Sequence, residues 1–351
     1  MAVAADAGSA SGALSRLERL LPLWIVLAMG LGKAFPNLAG VLDALRVDTV
    51  SLPIAIGLLW MMYPVLARVK YEKLGKVAQD WRLFAVSLAL NWVIGPLLVF
   101  GLAWTLLPDH PKYRTGLIVV GLVRCIAMVL VWNLMARGNE EYAAILVVLN
   151  SVFQVLAYSV YVWFFIGVLP GWFGGETAIA GIEFWDVARA VLIFLGVPLA
   201  AGALTRWAGI ARKGRQWYEE RFIPRLAPTA LIGLLFTIVV MFSLKGGLIL
   251  SLPLDVLRIS IPLLLYFGWM FEISFWVGKV VGFDYERTAA VSFTAASNNF
   301  ELAIAVAIGV FGIASAEAFA TVVGPLIEVP MLVGLVYVAL RLRKGFVRGG
   351  G

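Results

Sequence analysis

The sequence predicts an all-α, polytopic membrane protein. Three features carry that expectation: composition, the length of the apolar runs, and the uneven placement of positive charge between them. Hydrophobic residues make up 62% of the 351 positions and charged residues 14%, against about 25% charged in soluble domains. The net charge of +7 is not a nucleic-acid footprint, because the basic residues collect in short stretches between apolar runs. No nucleic-acid partner is expected. The single cysteine excludes an internal disulfide and any multi-cysteine metal site within one subunit. The chain has no P-loop, dinucleotide fingerprint, paired-histidine metalloprotease motif or Ser-His-Asp set, so neither a cofactor nor an enzyme is indicated.

Residues 1–18 are polar and rich in small side chains. They read as a disordered cytoplasmic segment without the basic start of a cleaved signal. Ten apolar runs follow, at 20–37, 49–68, 82–107, 115–136, 142–169, 185–205, 227–245, 256–281, 286–312 and 317–341. Each approaches the ~20 residues that a spanning helix needs. The first is the weakest, being interrupted by Gly30, Gly32 and Lys33. Lipid admits only helices or closed barrels. These runs are longer than barrel strands and do not alternate, so helices are expected.

Charge sets the direction. The stretch 68–82 holds five basic residues, 206–225 six and 341–348 four; 170–184 has none and 37–48 only Arg46. The positive-inside rule then puts both termini in the cytoplasm of a multi-pass cell-membrane protein, which an even number of spans requires. Ten spans divide into five and five, and a five-span unit repeated once must be inverted, a plan common among secondary transporters. The expected organisation is a first five-helix repeat with the start of helix six over 19–205, a basic cytoplasmic loop at 206–226, the rest of the second repeat at 227–342, and a cytoplasmic tail at 343–351.

Polar residues inside the runs mark the candidate site, because a charge in lipid is costly and functional by default. In "GLVRCIAMVLVW" (121–132), Arg124 stands beside Cys125. Cys125 reads either as a small packed hydrophobe or, next to a cation, as a thiolate donor. Arg124 reads either as structural, on carbonyl oxygens, or as the partner of Glu301. In "FTAASNNFELA" (293–303), Thr294, Asn298 and Glu301 fall at i, i+4 and i+7 on one helical face, flanked by Ser297 and Asn299. Serine and asparagine loosen a helix, and a broken helix at the midplane is where transporters bind substrate. Asn150, Gln154, Tyr158 and Tyr161 form a polar stripe in the fifth run, read as substrate contacts or as interhelical glue. Glu328, between Pro325 and Pro330, and Glu272 are further acids that either titrate or pair. His110, the only histidine, lies in the loop "PDHPKYR", so any proton coupling falls to carboxylates.

These motifs resemble a family. The stretches 121–165, 295–312 and 322–340, with their Arg-Cys, "NSVFQ" and "NNFE", look like the signatures of the arsenical-resistance-3 type arsenite efflux permeases, in the bile acid/arsenite/riboflavin transporter superfamily. The likeness runs from about residue 20 through most of the chain. It implies ten spans in two inverted repeats, broken and crossing helices four and nine, and a core and a panel domain. It also implies export of arsenite, sometimes antimonite, driven by the proton gradient, with Cys125 and Glu301 as essential residues. The chemistry agrees. Arsenite near neutral pH is mostly a small uncharged trihydroxide, and trivalent arsenic is thiophilic. One sulfur from Cys125 holds it reversibly, as transport requires. Thr294, Asn298 and Asn150 are suited to its remaining oxygens, with Arg124 tuning Glu301. Two other readings stay open: a sodium-coupled organic-anion carrier of the same superfamily, since sodium prefers oxygen ligands, and a membrane receptor that transports nothing.

Overall fold

The computed structural model describes residues 21–34, 46–47, 50–72, 80–174, 184–312 and 315–347. The expected disordered segment 1–18, most of the loop 37–48 and the last residues of the tail lie outside them. Among the described residues the protein is helical apart from a two-residue antiparallel pair, β1 (Arg46–Val47) with β2 (Val50–Ser51).

A helix, or a pair of helices, covers each predicted apolar run. They are α1 (Leu21–Ala34) and α2 (Leu52–Ala67), α3 (Trp81–Leu106), α4 (Pro111–Gly121) and α5 (Met128–Met135), then α6 (Glu140–Trp172) and α7 (Phe184–Lys213). The rest are α8 (Ile223–Ser251), α9 (Pro253–Val281), α10 (Tyr285–Ala296), α11 (Phe300–Phe311) and α12 (Ala316–Val347). Seven helices among the described residues are long and apolar enough to cross a membrane. The protein is therefore a polytopic membrane protein. The basic stretch 206–226 is itself helical except at Gly214, whose φ of +83° breaks the run.

Wide π turns interrupt α3, α6 and α7 and a fourth leads into α8, and each turn ends two residues before a proline. The turns are Leu90–Ile94 before Pro96, Trp163–Val168 before Pro170, Leu192–Gly196 before Pro198, and Tyr218–Phe222 before Pro224. Proline lacks the N–H that would bond four residues back, and its ring crowds that carbonyl. The ladder opens by one residue instead of breaking. The carbonyl freed by Pro96 is that of Trp92, and the Tyr161 hydroxyl donates to it at 2.7 Å. Thus one member of the polar stripe on α6 repairs a neighbouring helix.

The chain forms two compact units, residues 1–69 with 192–253, and 70–191 with 254–351. In the first, α8 packs on α1 and α2, and the last part of α7 packs on α2. Small residues let the backbones approach. A Cβ on Gly233 would stand 2.8 Å from Met61 N, and one on Gly202 2.8 Å from Ala67 N. The second unit holds both helix breaks. One separates α4 from α5 and the other α10 from α11.

Because Gly202 meets backbone, its neighbour cannot yield. Gly202→Ala should destabilise the chain by about 1–3 kcal/mol, the usual cost of overpacking. A lowered melting temperature in detergent checks this, and an unchanged one would contradict the close α2–α7 packing.

Candidate functional site

The two breaks meet. After Gly121 the backbone leaves the helix for residues 122–127, and after Ala296 for residues 297–299. The reason is local. Asn299 caps α11, its Oδ1 accepting Leu302 N–H at 3.0 Å, and asparagine favours that position over a helix interior. A break leaves backbone donors and acceptors without helical partners, and in lipid each must be satisfied inside the protein.

The polar residues of both segments do this. Cys125 N–H donates to Ser297 O at 3.1 Å, directly from one break to the other. The Asn298 side chain donates from Nδ2 to Val120 O at 2.9 Å and Val123 O at 2.7 Å. Asn298 N–H donates to Glu328 Oε1 at 3.0 Å. Gln154 Oε1 accepts Arg124 N–H at 3.1 Å, and Tyr158 donates to Val119 O at 3.0 Å. The Arg124 guanidinium forks three ways, to Gly121 O at 2.6 Å, Ala295 O at 3.0 Å and the Tyr266 hydroxyl at 2.6 Å. It is fully buried. Gly95 makes the room: a Cβ there would lie 2.6 Å from an Arg124 terminal nitrogen.

Two expectations are corrected. Arg124 is not paired with Glu301; among the described residues its bonds go to neutral oxygens. The break itself supplies carbonyl acceptors at close range, and they occupy the fork. The common face of Thr294, Asn298 and Glu301 does not persist either, because helical periodicity stops at Ser297. Thr294 instead bonds back to Ala290 O at 2.6 Å within α10, as Ser297 does to Phe293 O at 2.6 Å.

Cys125 is buried at the N-terminal side of α5, with the backbone N–H groups of Ala127 and Val129 directed at it. Glu301, half-buried in the first turn of α11, and buried Glu328 on α12 lie near enough to the thiol to act on it electrostatically. They also act on each other. So Cys125 and Asn298 lie at the meeting of the breaks, Glu328 is bonded there through the Asn298 amide, and Glu301 stands in the first turn of the helix that follows. Asn150 stands one step back, accepting Trp92 Nε1–H at 3.2 Å and reached from the break through Gln154, whose Nε2 donates to Asn150 O at 3.2 Å. Glu272 is exposed on α9. Arg124 Nε, Asn150 Nδ2, Asn298 Oδ1 and Asn299 Nδ2 are buried with no hydrogen-bond partner among the described residues. Native proteins rarely leave such atoms idle. No cluster of three or more His, Cys, Asp or Glu among the described residues is placed to hold a metal ion.

Sequence reading missed Tyr266 and Gly95. Tyr266 had one cue, a phenol inside the apolar run "PLLLYFGW", since a buried tyrosine hydroxyl needs a partner.

The match to known proteins is extensive. A family model described as the sodium bile acid symporter family covers residues 55–252. The arsenical-resistance protein Acr3 of Corynebacterium glutamicum is 55% identical over 333 residues, 94% of this chain and 90% of that protein. The chain belongs to the Acr3 family. A second Acr3, of Alkaliphilus metalliredigens, is 29% identical over 94% of both chains. An uncharacterized transporter of Synechocystis is 33% identical over 97% of this chain and 92% of its own length. Acr3 proteins and the sodium bile acid symporters are transporters, not enzymes.

A graded series tests the role of Arg124. Tyr266→Phe removes one acceptor from a charged donor and should cost about 1.5–3 kcal/mol. Arg124→Met leaves Ala295 O without its guanidinium partner and Gly121 O with only the long Tyr266 hydroxyl bond at 3.5 Å, at about 1–3 kcal/mol for a buried unpaired group, and should lower the melting temperature further. Equal melting of both variants and the parent would show that the fork does not hold the breaks.

Proposed function

We propose that this Acr3-family chain exports arsenite from the cytoplasm by proton antiport, with antimonite as a second substrate. The observation that carries the reading is the placement of the one cysteine, Cys125, where two broken helices meet and two carboxylates converge. The Corynebacterium glutamicum relative is an arsenical-resistance protein, which supports arsenic as the cargo. Cys125 carries the one thiol of the chain, and arsenic(III) favours thiols; a single thiol keeps binding reversible. Asn298 Oδ1 and Asn150 Nδ2, unpaired in this structure, are suited to the hydroxyls of the trihydroxide. Asn299, Ser297, Gln154 and Thr294 shape the breaks around it.

The cycle follows from competition. From the cytoplasm, arsenite meets Cys125 beside deprotonated Glu301, its proton having left to the inside. The loaded carrier turns outward. There the higher proton activity protonates Glu301, the site weakens and arsenite leaves. The protonated carrier, with less buried charge, returns. Glu328 is the second carboxylate of the pair. Its bond to Asn298 N–H ties its charge to the backbone of the break. Arg124 acts by holding that break.

Helices over each of the ten apolar runs support a reading of ten crossings, arranged in two inverted five-helix repeats with the breaks in the fourth and ninth. Basic stretches at 68–82 and 206–225 support cytoplasmic termini. A sodium-coupled organic-anion carrier is the second reading, favoured by the description of the matching family. Sodium-dependent and proton-independent uptake would select it.

In everted vesicles energised with a proton gradient, Cys125→Ala and Cys125→Ser should insert normally and lose most arsenite accumulation. Glu301→Gln mimics the protonated form and cannot release a proton, so gradient-driven accumulation should vanish, while Glu301→Asp keeps part of it. Native, gradient-dependent accumulation by the glutamine variant would move the coupling to Glu328.

In a Cys125→Ala background, a cysteine at exposed Gln216 should react with an impermeant maleimide only in everted vesicles. Labelling from outside intact cells would reverse the proposed topology.

A further inference from the structure

The stretch joining α7 to α8, residues 206–225, packs six basic and two acidic residues into twenty positions. Both acids are engaged within it. Glu219 pairs with buried Arg206 at 2.8 Å, and Glu220 accepts from Gln216 at 3.1 Å. Arg212, Lys213, Arg215, Arg221 and Arg225 are all exposed.

This is a built surface. Tyr218 is fully buried, and its hydroxyl donates to Ala67 O at 3.0 Å, anchoring the stretch to the end of α2. Gly209 lets the Tyr218 ring close onto α7; a Cβ there would lie 2.5 Å from the ring. The Arg206 guanidinium sits 5.4 Å from the same ring. Held from beneath, the outer face carries two indoles. Trp207 is 72% exposed. Trp217 stacks on Phe222 at 5.6 Å and lies under the Lys213 ammonium at 4.5 Å. A rigid rim at the end of two apolar helices thus bears indoles beside a surplus of cations.

We propose that this rim docks on the headgroups of anionic phospholipid. Indole rings partition to the headgroup level of a bilayer, and clustered Lys and Arg next to a span are drawn to anionic lipid. Arginine engages phosphate oxygens through two parallel N–H bonds, and Arg212, Arg221 and Arg225 have exposed guanidinium groups for it. A zwitterionic headgroup cancels its own phosphate charge, so the discrimination is for net negative lipid. The lipid stabilises the α7–α8 connection, which carries none of the residues of the Cys125 site.

The test uses the full chain in nanodiscs of phosphatidylcholine alone or mixed with phosphatidylglycerol. The native chain should melt several degrees higher in the mixed discs, and high salt should remove most of that shift. A variant carrying Arg212→Gln, Lys213→Gln, Arg221→Gln and Arg225→Gln should match the native melting temperature in neutral discs and lose most of the shift. If it does not fold, Arg212→Gln with Arg221→Gln alone should lose about half of the shift, counted as two of four charges. An equal shift in native and variant chains, or none in the native chain, overturns the proposal. So does glycerol phosphate in solution acting as well as the lipid, which would mean a free-anion site. Soluble polyglutamate matching the lipid in neutral discs would instead make the surface a reader of acidic polypeptide, and the proposal falls.

Discussion

A backbone that leaves the helix inside a membrane has to find partners for every amide and carbonyl it exposes. The second unit is organised around this demand. Two breaks solve it jointly, each supplying what the other lacks. Ser297 O takes the amide of Cys125, and the Asn298 side chain takes two carbonyls of the segment before Cys125. Arg124 spans both, reaching Gly121 O on its own side and Ala295 O on the other. An arginine in lipid looks like an extravagance until its five donors are set against a surplus of carbonyls. Lysine has three donors and no planar fork, and cannot satisfy the same geometry.

The same demand explains why polar side chains far from Cys125 matter. The stripe on α6 reads as a line of substrate contacts if seen alone. In place, Gln154 and Tyr158 serve the first break, while Tyr161 serves the carbonyl that Pro96 releases in α3. Asn150 is shared, with one amide atom bound to Trp92 and the other free. A polar residue in such a helix is explained when its partner is found, and those left over are the ones to assign to a ligand.

Much of this was readable in the sequence. Apolar length located the helices, and the Asn-Asn pair announced the second break, because those residues compete with a helix for its own backbone. The first break was expected only through the resemblance, which implied a broken fourth helix, and nothing in the residues gave its extent. What could not be read were partners without a side chain. Carbonyls at Gly121 and Ala295 have no letter in the sequence, so the reading of Arg124 stayed open between unnamed carbonyl oxygens, which the structure shows, and Glu301. Glu328 was noticed for its flanking prolines, yet its bond to the Asn298 amide joins residues 30 apart and needs the fold. Pro96, Pro170, Pro198 and Pro224 were not read as sites of π turns. Their effect as π turns was implicit in the letters; a division into two units was implied only by the resemblance, and that each unit draws on both halves was not foreseen.

The π turns have a consequence for how such helices face their surroundings. Each one admits an extra residue to a turn, and one residue corresponds to about 100° of rotation in an α-helix. The stripe of side chains that contacts neighbours before the turn is therefore displaced sideways after it. A helix such as α3 offers one azimuth over Trp81–Ala89 and another over Gly95–Leu106. Proline spacing thus acts as a phase shifter, letting a single helix address one set of neighbours along its first half and a different set along its second.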